Sequence, residues 1–233
     1  MKYKLIGDSD CPVAQIELDQ GQTIKVERGA MAYMSRIELK GKMNARKKGL
    51  GGMISAIGRG LTSGESVFIT EAQATADGAF IGVAPAIPGK IVCLSVGQAQ
   101  YRLNTGAFLA CDANVNYAMK SQDAGKALFG GTGGFFVMET EGTGNLLVNA
   151  FGDLIELEVT PSQPLTIDNE HVVAWDRSLD YQIEVASGAF GFTTGEGLVN
   201  QFSGNGKVLI QSRNIHSLAE ALTPYLPKSG NNS

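Results

Sequence analysis

Few residues in this chain could do chemistry, and their spacing argues against most of it. There are two histidines, His171 and His216, with no helical or strand spacing between them, so a metal site built on paired imidazoles lacks its second ligand. Cys11, Cys93 and Cys111 form no C-x-x-C pair, which excludes zinc-ribbon and thioredoxin chemistry. With no histidine near them in sequence, each is expected to be a buried, inert thiol. Four Gly-Lys pairs end at Lys42, Lys90, Lys126 and Lys207, but none is followed by Ser or Thr. Without that hydroxyl for a magnesium ion there is no phosphate-binding loop, and neither G-x-G-x-x-G nor G-x-S-x-G occurs. No catalytic residue, metal or cofactor is therefore expected, and the chain does not read as an enzyme.

Three local groups remain. Asp168, Glu170 and His171 form the tightest polar cluster, and turn chemistry, which favours Asp and Asn, explains them better than catalysis. Gly195, Glu196 and Gly197 place a lone acid between two glycines ahead of an apolar run, a candidate loop or ligand site. The third group is a basic stretch. Lys40, Lys42, Arg46, Lys47, Lys48 and Arg59 occur between Lys40 and Leu61 with no acid among them. The whole chain stands at −4, so these six positive charges leave −10 on the rest. Leu50, Met53, Ile54, Ile57 and Leu61 fall on one helical stripe, which makes the stretch a candidate contact for an anionic membrane or a partner. The opposed reading is a glycine-rich flap over the core, since Gly49, Gly51, Gly52, Gly58 and Gly60 each cost a helix about 1 kcal/mol. Given the acidic remainder, nucleic acid is not an expected partner.

The elements that must carry these residues are strands. Thirty glycines without a collagen period read as turns between many short strands. Apolar residues alternate at Ile16 and Leu18, Ile24 and Val26, Tyr101 and Leu103, Leu165 and Ile167, and Ile183 and Val185. Phe80–Ala84 and Leu146–Val148 are continuous apolar runs, expected to be buried on both faces. The start of the chain has no apolar signal region and no stretch reaches eighteen uninterrupted apolar residues, so a cytoplasmic protein is expected. Ser217-Leu-Ala-Glu220 reads as a capping box that opens a short helix ending near Pro224, with Leu218, Ala221, Leu222 and Tyr225 facing inward.

The strand pattern repeats. Gly21-Gln22 opens an alternating strand, then comes Gly29-Ala30 and a second apolar strand; Gly97-Gln98 and Gly106-Ala107 do the same. A third copy, from Ser162 to Asp176, has lost its glycines. On this alignment Trp175 matches Cys111 and Tyr33 and is expected to be a core or interface aromatic. The reading is a body over residues 1–216 in three β repeats (1–43, 65–122 and 134–213), a glycine-rich basic insert at 44–64, and a C-terminal helix and tail at 217–233.

Glu65-Ser-Val-Phe-Ile-Thr70, Ala84-Pro85 with Pro88-Gly89, Ala150-Phe-Gly152, Gly195-Glu-Gly-Leu-Val199 and Gln211-Ser-Arg213 follow one another in this order. Together they resemble the bacterial relatives of the mitochondrial biogenesis family named for altered inheritance of mitochondria. The resemblance implies an all-β fold of three short double-stranded β-helix units forming a sandwich-type body. Each unit would be similar to that of the tryptophan-activated RNA-binding attenuation protein. It also implies assembly with copies of itself as a ring-like homotrimer, and it supplies no catalytic residues. The combined expectation is a self-assembling scaffold, cytoplasmic and peripheral to the inner face of the membrane. The alternative is a ring that binds small ligands between its units.

Overall fold

The structure, a computed structural model, describes residues 1–7, 10–43, 68–104, 106–121, 136–185 and 198–226. Nineteen strands run through them in chain order. The first seven are β1 (Lys2–Ile6), β2 (Val13–Leu18), β3 (Thr23–Glu27), β4 (Met31–Ser35), β5 (Ile37–Met43), β6 (Phe68–Ala74) and β7 (Ala79–Val83). Then come β8 (Ile91–Val96), β9 (Tyr101–Leu103), β10 (Phe108–Asp112), β11 (Val115–Ser121), β12 (Phe136–Gly142) and β13 (Gly144–Asn149). The last six are β14 (Leu154–Val159), β15 (Leu165–Asp168), β16 (Val172–Asp176), β17 (Asp180–Val185), β18 (Leu198–Ser203) and β19 (Gly206–Gln211). One α-helix, α1 (Ile215–Leu222), follows them. Among the described residues the chain is all-β with one short C-terminal helix, and every strand-to-strand ladder is antiparallel.

Four sheets result, ordered β1-β2-β7-β4, β5-β6-β3-β10-β13-β8, β11-β12-β9-β16-β19-β14 and β15-β18-β17. Adding six to each strand number of the second sheet reproduces the third. The same step carries β4-β7-β2 onto β10-β13-β8, and β11-β12-β9 onto β17-β18-β15. Only β1 lies outside this series. Each set of six strands, starting at Val13, Ile91 and Leu154, puts three strands into one sheet and three into the next.

Three apolar cores lie between successive sheets. The first joins Ile16 and Ile81 to Ile24, Val26 and Leu147; the second joins Leu146 and Cys111 to Leu103 and Leu209; the third joins Trp175 and Val208 to Ile167 and Phe202. Period-two alternation explains this layout. In β2 and β3 alternate side chains are buried (Ala14, Ile16, Leu18; Ile24, Val26). Leu146, Leu147 and Val148 are buried because the second sheet is covered on both faces: Leu147 packs in the first core, Leu146 and Val148 in the second.

The helix differs from its sequence reading. Its N-cap is Asn214, whose side-chain oxygen accepts from the Ser217 backbone N–H at 2.7 Å, so Ser217 is already helical rather than a cap. None of its residues is buried: Leu218 is 39% exposed, Leu222 48%, and Tyr225, in the 3-10 turn that follows, 85%. The expected inner face therefore stays exposed rather than joining a core.

Candidate functional site

Strands β4, β10 and β16 occupy equivalent places, each beside the central strand β7, β13 or β19. Their ladders share an irregularity. Pairing slips between Met31 and Tyr33, between Phe108 and Ala110, and between Val172 and Ala174. A bulge at a fixed place is a positional marker, so residues can be matched one by one across the three strands. Tyr33 corresponds to Ala110 and Ala174, and Met34 to Cys111 and Trp175. The sequence alignment had set Tyr33 against Trp175, one residue off. Volumes agree with the corrected match. Tyr33 pairs with Gly82, and its ring fills the space a Cβ of Gly82 would take, whereas Ala110 pairs with Leu147 and Ala174 with Leu209.

What separates the three strands is their outer neighbour. β10 pairs on its far side with β3, and β16 with β9. Phe108 to Cys111 are at most 7% exposed and Val172 to Trp175 at most 3%. Strand β4 has no such neighbour among the described residues, and Met31, Tyr33 and Met34 are 39%, 36% and 42% exposed. At the other end of the series β15, equivalent to β3 and β9, is bonded to β18, and no described strand lies on its second edge.

The two internal junctions show what such an edge can hold. At the first, Val26 lies opposite Ala110, Lys25 opposite Cys111 and Ile24 opposite Asp112. At the second, Leu103 lies opposite Ala174, Arg102 opposite Trp175 and Tyr101 opposite Asp176. Each has a cation reaching past the ladder to a backbone carbonyl: Lys25 Nζ donates to Val115 O at 2.7 Å, and Arg102 Nη1 to Leu179 O at 3.0 Å. Arg102 also pairs with Glu139 at 3.2 Å and lies 5.2 Å from the centre of the Tyr181 ring. The second junction gains further bonds, from Asn104 N to Val173 O and from Asn104 Nδ2 to Asn169 O and Val172 O. Beyond it, Pro88-Gly89 and Ala150-Phe-Gly152 meet through a parallel bridge between Gly89 and Gly152, with Lys90 N donating to Gly152 O and Gly152 N to Pro88 O.

The other sequence candidates fall out as follows. Lys40 and Lys42 lie in β5, opposite Glu71 and Ile69 of β6, so the basic stretch begins as an edge strand and not as a helix. Lys40 Nζ is 3.1 Å from Glu38 and donates to Gln73 at 3.3 Å. Arg46, Lys47, Lys48, Leu50, Met53, Ile54, Ile57 and Arg59 lie outside the described residues, as do Gly195, Glu196 and Gly197. Asp168 caps a 3-10 turn, its Oδ1 accepting from Glu170 N at 2.8 Å. The same turn is tied to the end of β19: His171 Nδ1 lies 2.7 Å from Gln211 O, and Gln211 Nε2 donates to Glu170 O. Burial in that turn pushes the Glu170 carboxyl above its ordinary range.

Of the cysteines, Cys111 is buried and its thiol is pushed up to about 12, and burial also raises that of the half-buried Cys93. Cys11 departs from expectation. It is exposed, because it sits in the loop between β1 and β2 rather than on a core face. Trp175 is 1% exposed and meets Tyr181 and Phe202 edge-on at 4.9 and 5.6 Å, as a core aromatic. Among the described residues no group of three or more His, Cys, Asp or Glu could hold a metal ion, and no helix is long and apolar enough to cross a membrane. Sequence reasoning missed the open edges. The signal present was the uncharged run Met31-Ala-Tyr-Met-Ser35, which lacks the lysines and acids that usually blunt a free edge.

These features define an all-β protein of serially continued antiparallel sheets, with an edge at each end of the series that no described strand covers. The chain belongs to the family described as Mitochondrial biogenesis AIM24, which it matches over residues 3–213. It is 45% identical to an uncharacterized protein of Streptococcus pyogenes serotype M6, over 99% of this chain and 93% of that protein. It is also similar to the crystal structure of protein SPYM3_0169 from Streptococcus pyogenes, with 41% identity and a TM-score of 0.78 over 97% of this chain and 99% of that one.

Proposed function

We propose that this protein is a non-catalytic scaffold that assembles with copies of itself, as a trimeric ring at the cytoplasmic face of a membrane. The observation that carries self-assembly is the contrast between β4 and its equivalents: the same strand position is buried twice and exposed once. An uncharged apolar strand with a free ladder edge is a template for another strand, and natural proteins that stay monomeric blunt such edges. Three copies and ring closure rest on the family resemblance. Membrane contact rests on the charge of residues 40–61, which opposes the acidic remainder and suits anionic lipid.

Light scattering coupled to size exclusion tests assembly. A mass near three times 24.6 kDa is expected, and a monomer at micromolar concentration would remove the proposal. Co-sedimentation with anionic vesicles at low salt tests the membrane part. Binding should fall as salt is raised and vanish when Arg46, Lys47 and Lys48 are changed to Gln; equal binding to neutral vesicles would refute it.

A further inference from the structure

We infer that β15 of one copy pairs antiparallel with β4 of the next, continuing between chains the junction that the fold makes twice within one chain. The inference rests on the self-assembly reading and adds to it which strands meet and in what register.

The argument is a series with one missing term. Strand β3 pairs with β10, and β9 with β16. Each partner pair is displaced by six strands from the last, so the next pair is β15 with a strand equivalent to β16 and β10. This chain has no strand after β19 among its described residues. The remaining equivalent is β4, at the opposite end of the series, and a second copy can supply it. Among the described residues both edges are open, and neither offers a charge within the paired stretch: β4 is Met31-Ala-Tyr-Met-Ser35 and β15 begins Leu165-Thr166-Ile167.

The register follows from the bulge. Ala110 opposite Val26, and Ala174 opposite Leu103, place Tyr33 opposite Ile167 of the next copy. Met34 then meets Thr166, and Ser35 meets Leu165. The substitutions at these places are consistent. The internal junctions set a cation, Lys25 or Arg102, opposite Cys111 or Trp175; here Thr166 would stand opposite Met34, a β-branched residue against a flexible thioether. The docked strand would border Tyr33, Met34 and Ser35 as β3 borders Ala110 to Asp112 and β9 borders Ala174 to Asp176. Because the two surfaces differ, the contact is head-to-tail. It closes into a ring if the rotation per copy divides a full turn and runs on as a filament if it does not.

Disulfide trapping tests the register. In a Cys11→Ser background, Met34→Cys and Thr166→Cys are introduced together, since directly opposed residues of an antiparallel pair lie within disulfide reach. Mild oxidation should give a ladder of covalent multiples of the chain on a non-reducing gel, while Met34→Cys with Asp168→Cys, two residues out of register, should not. A second measurement needs no substitution: in the wild-type chain, amide hydrogen exchange of both Met31–Ser35 and Leu165–Asp168 should slow by about tenfold or more when concentration drives assembly. Oligomers that form while both segments exchange freely, or that trap only the shifted pair, would overturn this pairing and leave self-assembly standing. A chain that stays monomeric would overturn both.

Discussion

Strand β4 and strand β16 are built on the same plan, with the same bulge and the same kind of central neighbour, yet one is a surface and the other is core. Met34 is 42% exposed where its counterpart Trp175 is 1% exposed. Composition does not account for this, since both strands are apolar and uncharged until their last residue. The difference lies in the neighbours: β9 borders β16 on its far side and Tyr181 and Phe202 of the fourth sheet pack on Trp175, while among the described residues no strand borders β4 there. Burial of a strand is therefore a property of its place in the series, and the ends of a series are where a protein of this kind meets its surroundings.

The most direct way to break the comparison is to truncate both counterparts. Trp175→Ala removes a ring packed on Tyr181 and Phe202 and should destabilise the chain by about 3–5 kcal/mol, read as a shifted urea midpoint. Met34→Ala should cost the isolated chain less than about 1 kcal/mol, because much of the side chain is already in water. The expected loss appears instead in assembly, where Met34→Lys should lower the mass seen by light scattering by burying a charge in the junction. Equal unfolding costs at the two positions would mean that β4 is core in the isolated chain and that the contrast is false.

The next effect in size concerns the glycine pair beside the second internal junction. A Cβ on Gly89 would collide with the Ala150 carbonyl and come within 2.6 Å of Gly152 N, so backbone must shift to admit it. Gly89→Ala should cost about 2–3 kcal/mol by urea unfolding. Gly21→Ala is the control, with nothing within 4 Å of the added carbon. At φ 81° it bears the left-handed strain alone, and should cost about 1 kcal/mol. If the two match, the close approach of Gly89 and Gly152 contributes nothing beyond local backbone preference.

Much of the fold was legible because strands announce their inner faces locally. Ile16 and Leu18, Ile24 and Val26 alternate, and all four are buried. The continuous run Leu146–Val148 was readable as doubly buried for the same reason. The helix start was misread because two capping patterns overlap. Ser217 and Glu220 have capping-box spacing, but Asn214, three residues earlier, takes the cap and turns Ser217 into its donor. The exposure of Cys11 was not legible, since a cysteine between two strands carries no periodicity to place it. The open edges were not legible either. Whether β4 has a neighbour depends on residues far away in sequence, and a run such as Met31–Ser35 reads the same whether or not another strand lies on it.

A smaller effect sharpens the comparison between the two internal junctions. Arg102 donates to Leu179 O, pairs with Glu139 and lies near the Tyr181 ring; Lys25, its counterpart, donates to Val115 O and to Asn116. Arg102→Ala should cost about 1.5–3 kcal/mol, the range for a partly buried hydrogen bond to a charged group, with Lys25→Ala at or below the lower end. Chemical denaturation of both variants checks the order. The reverse order would show that the ring contact and the Glu139 pair add nothing to the second junction.

The last prediction concerns the residue after each of those cations' neighbours, where the junctions carry different groups. The second has Asn104, whose amide donates to Asn169 O and Val172 O; the first has Glu27 at the matching place, the end of β3. Burial pushes the Glu27 carboxyl from 4.5 to about 7. A raised carboxyl means that the folded chain holds this proton where the unfolded chain has released it. Its contribution is thus fully present below about pH 4.5 and is lost as pH rises towards 7, where the folded chain must bear a half-buried charge. A neutral Glu27 can donate a hydrogen bond, as Asn104 does, and a carboxylate cannot. Urea midpoints for the wild type should therefore fall between pH 5 and pH 8 by more than those of Glu27→Gln, which keeps the amide donor at every pH. Solvent screening at this partly exposed position makes it the smallest of the effects. Parallel pH profiles for the two proteins would show that Glu27 titrates as an ordinary surface acid, and that the first junction does not resemble the second at this place.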